Sequence, residues 1–232
     1  MLLAIDIGNT RIKWGLHDGT GWLERDAATT LDALPAHLDA LADQVILSNV
    51  GAPSLSGMLT RRFGRLHEIH AQPQQCGVRN GYRNPASLGS DRWAALIGAH
   101  ALGARTALVI NAGTALTVDA LHLGDFLGGT ISPGYRLLTR SLTEATGLHG
   151  THDAIWSGFP DNTASALLTG CIASLTGPIT HMHDTLAQQC ATQPELWVAG
   201  GDAALIATHL TCRTEPHLVL EGLLHIATEV FA

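Results

Sequence analysis

Charge is scarce in this chain of 232 residues. Asp, Glu, Lys and Arg together make up 14% of it, and the 13 basic residues form no run. No face is therefore expected to read nucleic acid. The four cysteines, Cys76, Cys171, Cys190 and Cys212, are too widely spaced for a C-x-x-C or zinc pattern. They read as free thiols of a reducing compartment. No stretch of about 20 apolar residues occurs, so no transmembrane helix is expected. Met1-Leu2-Leu3-Ala4-Ile5 meets Asp6 with no basic leader, so a signal peptide is not expected and a cytoplasmic location is.

What remains is apolar and glycine-rich: 46% hydrophobic residues, 25 glycines and a net charge of -7. Such a chain can bury a core, as one large domain or two of roughly 100 residues. An acidic protein can still bind an anion such as ATP, through backbone N–H groups, a few basic side chains and a metal.

Strands and helices interleave. Leu2–Ile5 reads as a buried strand, followed by the turn Asp6-Ile7-Gly8-Asn9-Thr10. Ile12, Trp14 and Leu16 then alternate with polar or small residues as a second strand. Leu31, Leu34, Leu38 and Leu41 predict a helix over 30–43. Further strands are predicted over 45–50 and 68–71, and helices over 55–63 and 91–102, the latter capped by Ser90 or Asp91. Asn84–Leu88, with Pro85, reads as loop. Thr106–Ile110 is a strand, and Gly124–Gly134 a glycine-rich turn. Helices are predicted over 135–142, 163–175, 180–190, 203–210 and 218–231, with a strand at 196–199 and loop over 147–162. Trp14, Trp93 and Trp197 sit at core positions.

An internal repeat stands out. Leu3 to Thr10 lines up with Leu108 to Ala115, and Ile12, Trp14 and Leu16 with Thr117, Asp119 and Leu121. Asp6 thus matches Asn111. This predicts an α/β chain of two similar halves, 1–105 and 106–232, with mixed sheets and flanking helices. A pair of such β-turn-β units holding one nucleotide is the device of the duplicated ribonuclease-H-like, actin-like ATPase fold of sugar kinases.

The chemistry is expected at the strand ends. A carboxylate beside a glycine turn suits magnesium and phosphate, and Mg²⁺ needs only one Asp besides water and phosphate oxygens. That singles out Asp6, with Ile7, Gly8, Asn9, Thr10, Arg11, Ile12 and Lys13 as the phosphate segment. Gly113 and Thr114 form the second turn, and Gly200-Gly201-Asp202 a third element near a nucleotide. His149 with His152, and His181 with His183, lack the partners of a metal site and read as surface residues.

Residues 81–93, Gly-Tyr-Arg-Asn-Pro-Ala-Ser-Leu-Gly-Ser-Asp-Arg-Trp, resemble the Tyr-x-x-Pro…Gly-x-Asp-Arg-Trp signature of type III pantothenate kinases, also known as the Bvg accessory factor family. The opening Asp-x-Gly-Asn-Thr, the later Gly-Thr-Ala-x-Thr-x-Asp and the stretch from Gly128-Gly129 to Pro133-Gly134 are similar too, in register across residues 4 to about 202. The resemblance implies ATP-dependent phosphorylation of pantothenate, the first step of coenzyme A synthesis. It makes Asp91 the proton acceptor, Arg92 the holder of the substrate carboxylate, Tyr82, Gly89 and Ser90 a substrate wall, and Thr114 an ATP contact. Thr163 becomes a substrate contact, supplied across a homodimer. It implies Mg²⁺ and a monovalent cation, K⁺ or NH₄⁺. Here the chain departs: the family's usual cation-binding aspartate is Asn111, which predicts weakened or lost cation binding, with Asp119 intact. A kinase acting on another small hydroxy acid or sugar, and a nucleotide-binding regulator without transfer activity, are the alternative readings.

Overall fold

The structure is a computed structural model and describes residues 1–148 and 153–232. In chain order its elements are β1 (Leu2–Ile7), β2 (Ile12–His17), β3 (Trp22–Ala28), α1 (Leu38–Leu41), β4 (Gln44–Asn49), α2 (Ser54–Phe63) and β5 (Leu66–Glu68). Then come β6 (Gln74–Gln75), β7 (Val78–Asn80), α3 (Ser90–Ala101), β8 (Thr106–Ala112), β9 (Ala115–His122) and β10 (Asp125–Pro133). The chain ends with α4 (Tyr135–Thr146), α5 (Thr163–Cys190), β11 (Glu195–Ala199), α6 (Ala203–Ala207), β12 (Arg213–Thr214) and α7 (Leu218–Val230).

Two compact units result. The first is Met1–Arg105 with Leu123–Leu127 and His217–Ala232; the second is Thr106–His122 with Gly128–Pro216. Helix α7, counted from sequence with the C-terminal half, thus packs in the first unit.

In the first unit a sheet runs β3-β2-β1-β4-β5. β1 pairs antiparallel with β2 and parallel with β4. Leu3, Ile5 and Ile7 of β1 face a core completed by Trp14, Leu47, Leu38 and Leu59. Successive strand residues point to opposite faces, so Ala4 and Asp6 lie on the other side. Helix α7 packs against β1 and β4, and α3 against β4 and α7. The α3–α7 approach is close to the limit: a Cβ on Gly98 would strike the Leu218 carbonyl, and one on Gly222 the Ala94 carbonyl. The small hairpin β6–β7 pairs in parallel with the start of β10 through Asp125 and Phe126.

The second unit repeats the topology. Its sheet order, β12-β11-β8-β9-β10, copies β5-β4-β1-β2-β3 strand for strand. Leu108, Ile110 and Ala112 form a core with Val118, Val198, and Leu175, Ile179 and Leu186 of α5. Asn111 therefore falls on the opposite face, as Asp6 does. The pairings correct the sequence alignment by one residue. Ile7 pairs with Ile12 across a four-residue turn, whereas Ala112 pairs with Leu116 across a three-residue turn. Leu116, Val118 and Ala120, not Thr117, Asp119 and Leu121, are the counterparts of Ile12, Trp14 and Leu16. A shift of one residue reverses the facing of every side chain in a strand.

Other differences have local causes. Pro35 interrupts the predicted helix over 30–43, leaving a 3₁₀ turn at Leu31–Ala33 and the one-turn α1. Its carbonyls at Leu31, Leu34 and Pro35 accept hydrogen bonds from Arg62 of α2. β3 escaped prediction because this edge strand is exposed from Leu23 to Ala27 and lacks apolar alternation. The expected turn at 124–134 is largely strand β10, and the expected strand at 68–71 lies at 66–68. The two helices expected at 163–175 and 180–190 are one, α5, which continues through Pro178 between buried Leu175 and Ile179. Trp14, Trp93 and Trp197 are buried as expected.

Candidate active site

The register of the first sheet sets a row across one face: Lys13 on β2, Asp6 on β1 and Ser48 on β4 are direct neighbours. Asp6 is buried, with Ser48 beside it on the neighbouring strand. Its Oδ1 is buried without a hydrogen-bond partner. Burial, followed by the charge of Asp91, raises the Asp6 carboxyl to about 7, against the opposing pull of Lys13 and Ser48.

Ser48 also meets α3. Its Oγ lies 3.0 Å from Oγ of Ser90, the first residue of that helix. This contact fixes the helix N-terminus over the end of the sheet, and so places Asp91 near Asp6. The expected cap is corrected: Gly89 is the N-cap, and neither Ser90 nor Asp91 caps the helix. The Asp91 carboxylate instead accepts a hydrogen bond of 2.8 Å from the N–H of Arg92. Its Oδ1 lies where a Cβ on residue 89 would be only 2.6 Å away, so glycine at 89 gives the carboxylate its room. Burial raises the Asp91 carboxyl, more than the Arg92 N–H and guanidinium lower it.

Arg92 is itself buried, with its guanidinium 5.8 Å from the Tyr82 ring centre. Tyr82 in turn packs against Phe126 with ring centres 5.1 Å apart, and Gly81 abuts the Phe126 carbonyl. Tyr82, Gly89, Ser90, Asp91 and Arg92 therefore form one continuous group.

The turn after β1 is closed by the Gly8 N–H to the Arg11 carbonyl at 3.1 Å. Asn9, Thr10 and Arg11 are exposed; Ile7 and Ile12 are buried, leaving only their backbone to face a ligand. The turn lines a cleft of about 500 Å³ with Thr30, Asp32, Gly51, Leu55 and Met58. Asp91, Arg92 and Tyr82 do not line this cleft.

In the second unit, Asn111 lies between Thr117 and Ala199 in the sheet. Thr117 Oγ1 is buried without a hydrogen-bond partner. The exposed Thr114 follows Gly113, whose N–H bonds the Ala115 carbonyl. Two other glycines clasp this turn: a Cβ on Gly134 would strike the Gly113 carbonyl, and one on Gly200 the Ala112 carbonyl. The Asp202 N–H bonds Ala112 as well, at 3.0 Å. Asp119 is buried on the same face as Asn111. Thr163 is exposed in the first turn of α5, which Asn162 caps by accepting from the Ser165 N–H. His181 is exposed and His183 half-buried, while His149 and His152 lie outside the described residues. Among the described residues, no group of three or more His, Cys, Asp or Glu side chains could hold a metal, and no helix is long and apolar enough to cross a membrane.

Sequence reading missed Ser48 and Phe126. Ser48 had a faint signal: a lone polar residue closing the apolar run Val45-Ile46-Leu47, as Asp6 closes its own.

Comparison with known proteins adds the rest. A model of the type III pantothenate kinase family matches residues 2–185. The type III pantothenate kinase of Nitrosospira multiformis is 41% identical over 240 residues, covering 99% of this chain and 92% of that protein. Among solved structures, a Baf family transcriptional activator from Campylobacter jejuni superposes with a TM-score of 0.67 at 20% identity, covering 98% of both chains. A 2-dehydro-3-deoxygalactonokinase from Sinorhizobium meliloti gives 0.61 at 15% identity, covering 100% of this chain and 99% of that one. The architecture is thus the duplicated ribonuclease-H-like fold of actin-like sugar kinases.

Proposed function

The chain belongs to the type III pantothenate kinase family, and we propose that it phosphorylates pantothenate with ATP, the first step of coenzyme A synthesis. The observation that carries the site assignment is the Asp91 carboxylate, seated over Gly89 at the start of α3 and close enough to Asp6 to raise its proton affinity.

Asp91 takes the proton of the substrate's primary hydroxyl as its oxygen bonds the γ-phosphorus and the bond to ADP breaks. A carboxyl raised by burial is a better base than an ordinary aspartate. Arg92, buried and set by Tyr82, pairs with the substrate carboxylate as a planar fork. Tyr82, Gly89 and Ser90 form the wall beside it. The backbone from Asp6 to Lys13 binds phosphate, with exposed Asn9, Thr10 and Arg11 adding donors; Gly113 and Thr114 are nucleotide contacts of the second unit.

Asp6 fits a divalent cation. Its Oδ1 is buried without a partner, and a second carboxylate stands nearby. Mg²⁺ held by Asp6 through water would neutralise phosphate charge, the dominant need in a loose phosphoryl-transfer transition state. Asn111 would give a monovalent cation an amide oxygen without charge, so dependence on K⁺ or NH₄⁺ is weak.

A homodimer fits the second unit. Phe159, 98% exposed, lies four residues before Thr163, and Ile155 and Trp156 are exposed beside it in sequence. An apolar group of this size favours cover by a second copy, which would bring Thr163 to a substrate. A cytoplasmic location accords with the four free cysteines.

Purified protein given ATP, Mg²⁺ and pantothenate should form phosphopantothenate, and sugars in place of pantothenate should give none. Transfer to a sugar with none to pantothenate would defeat the assignment.

A further inference from the structure

We propose that Asn80 is a positioning residue, a clip that holds the loop carrying Tyr82 so that Tyr82 can set Arg92 for the substrate carboxylate. The inference rests on the kinase reading above. Asn80 ends β7 and is buried, while its exposed neighbour Arg79 grips Asp125 as a fork, at 2.8 and 2.6 Å. In the sheet Asn80 pairs with Phe126 of β10, and its N–H bonds the Pro73 carbonyl at 2.9 Å. The backbone at this point is thus fixed by both neighbouring segments. The side chain then reaches forward along the chain. Its Oδ1 accepts the Tyr82 N–H at 3.0 Å, and its Nδ2 donates to the Pro85 carbonyl at 3.3 Å. One short carboxamide supplies the acceptor and the donor that these two backbone groups need.

Both ends of the clip matter to the site. At Tyr82 it holds the residue whose ring packs against Phe126, 5.1 Å between centres, and lies 5.8 Å from the Arg92 guanidinium, within reach of a cation–π contact. At Pro85 the same carbonyl accepts the N–H of buried Leu88 at 3.1 Å, closing the turn that leads to Gly89. Asp91 has a separate anchor. Helix α3 begins at Ser90, whose Oγ lies 3.0 Å from that of Ser48, and the Trp93 N–H bonds the Gly89 carbonyl at 3.0 Å. Loss of the clip therefore loosens Tyr82 and leaves the base in place.

The test compares pantothenate with its alcohol analogue, in which CH₂OH replaces the carboxylate. Asn80→Ala should raise the pantothenate KM about 5- to 100-fold, as loss of hydrogen bonds at a buried position does, with kcat within about threefold of wild type. For the alcohol the KM should change by less than about twofold, because Arg92 has no carboxylate to meet. In a Tyr82→Ala background Asn80→Ala should add nothing, because it acts through Tyr82. An unchanged pantothenate KM, equal losses for the two substrates, losses that multiply with Tyr82→Ala, or a fall in kcat alone would overturn the clip. If Asn80→Ala does not fold, Phe126→Leu, which removes the ring behind Tyr82 and keeps an apolar side chain, decides by the same comparison. Limited trypsinolysis gives a readout free of turnover: cleavage after the exposed Arg83 should quicken at least about fivefold in Asn80→Ala, relative to cleavage elsewhere in the chain. Unchanged cleavage there would overturn the clip even if wild-type protein failed to phosphorylate pantothenate, an outcome that defeats the kinase reading instead.

Discussion

The carboxylates of Asp6 and Asp91, 85 positions apart in sequence, lie close enough for the charge of Asp91 to raise Asp6. Asp91 is raised by burial and not by Asp6.

This pair makes stability depend on pH in a defined direction. The Asp6 carboxyl titrates at about 7 in the folded chain and at 3.8 as an isolated group. Between these values the folded state holds a proton that the unfolded state has lost, so this residue's contribution falls as pH rises and its penalty is complete above about pH 7. Asp6→Asn should be nearly neutral for thermal stability at pH 4, and stabilising by about 1–4 kcal/mol at pH 8 without Mg²⁺. Equal effects at both values would show that Asp6 is not held in its protonated form.

The glycines divide into two kinds. Gly134, Gly200 and Gly222 each have a neighbouring carbonyl where a Cβ would go, and Gly200 has a φ of +99°. Alanine there should destabilise by about 2 kcal/mol or more. Gly8 and Gly113 have only ordinary neighbours, at 3.4 and 3.9 Å. Gly8→Ala should melt within a few degrees of wild type yet bind ATP about tenfold more weakly, as measured by calorimetry, because the added methyl occupies the approach to the backbone N–H groups.

Asn111 makes a prediction about salts. Replacing K⁺ by Na⁺ at constant ionic strength should change wild-type turnover by less than about twofold. Asn111→Asp adds a full charge and should create a clear K⁺ requirement, read as a saturable rise in kcat/KM. A strong K⁺ requirement in the wild type would contradict the role given to the amide.

Phe159→Ser should lower the self-association of the chain, read by sedimentation, and raise the pantothenate KM if Thr163 serves a second copy's site. Unchanged mass at micromolar concentration would remove the dimer from the account.

Much of the site was legible in the sequence because it lies in contiguous motifs. The strand ending at Asp6, the turn after it and the 81–93 segment each announce themselves locally, and the repeat disclosed the duplicated topology. What stayed hidden depends on pairing between distant segments. Nothing in a single strand says that Ser48 lies beside Asp6, or that Phe126 backs Tyr82. The repeat slipped by one residue because turn length is invisible to a pattern of apolar alternation. Helix α5 was split at Pro178 because local propensity argues for a break, whereas buried Leu175 and Ile179 on either side hold the helix through it.

The central claim, that Asp91 is the base of a pantothenate kinase, is tested most directly by Asp91→Asn under saturating ATP and Mg²⁺. The amide keeps the shape and cannot take the proton. The account predicts a fall in kcat of about 10² to 10⁴, with ATP still bound and the melting temperature preserved. Phosphopantothenate formed at the wild-type rate by Asp91→Asn would contradict it.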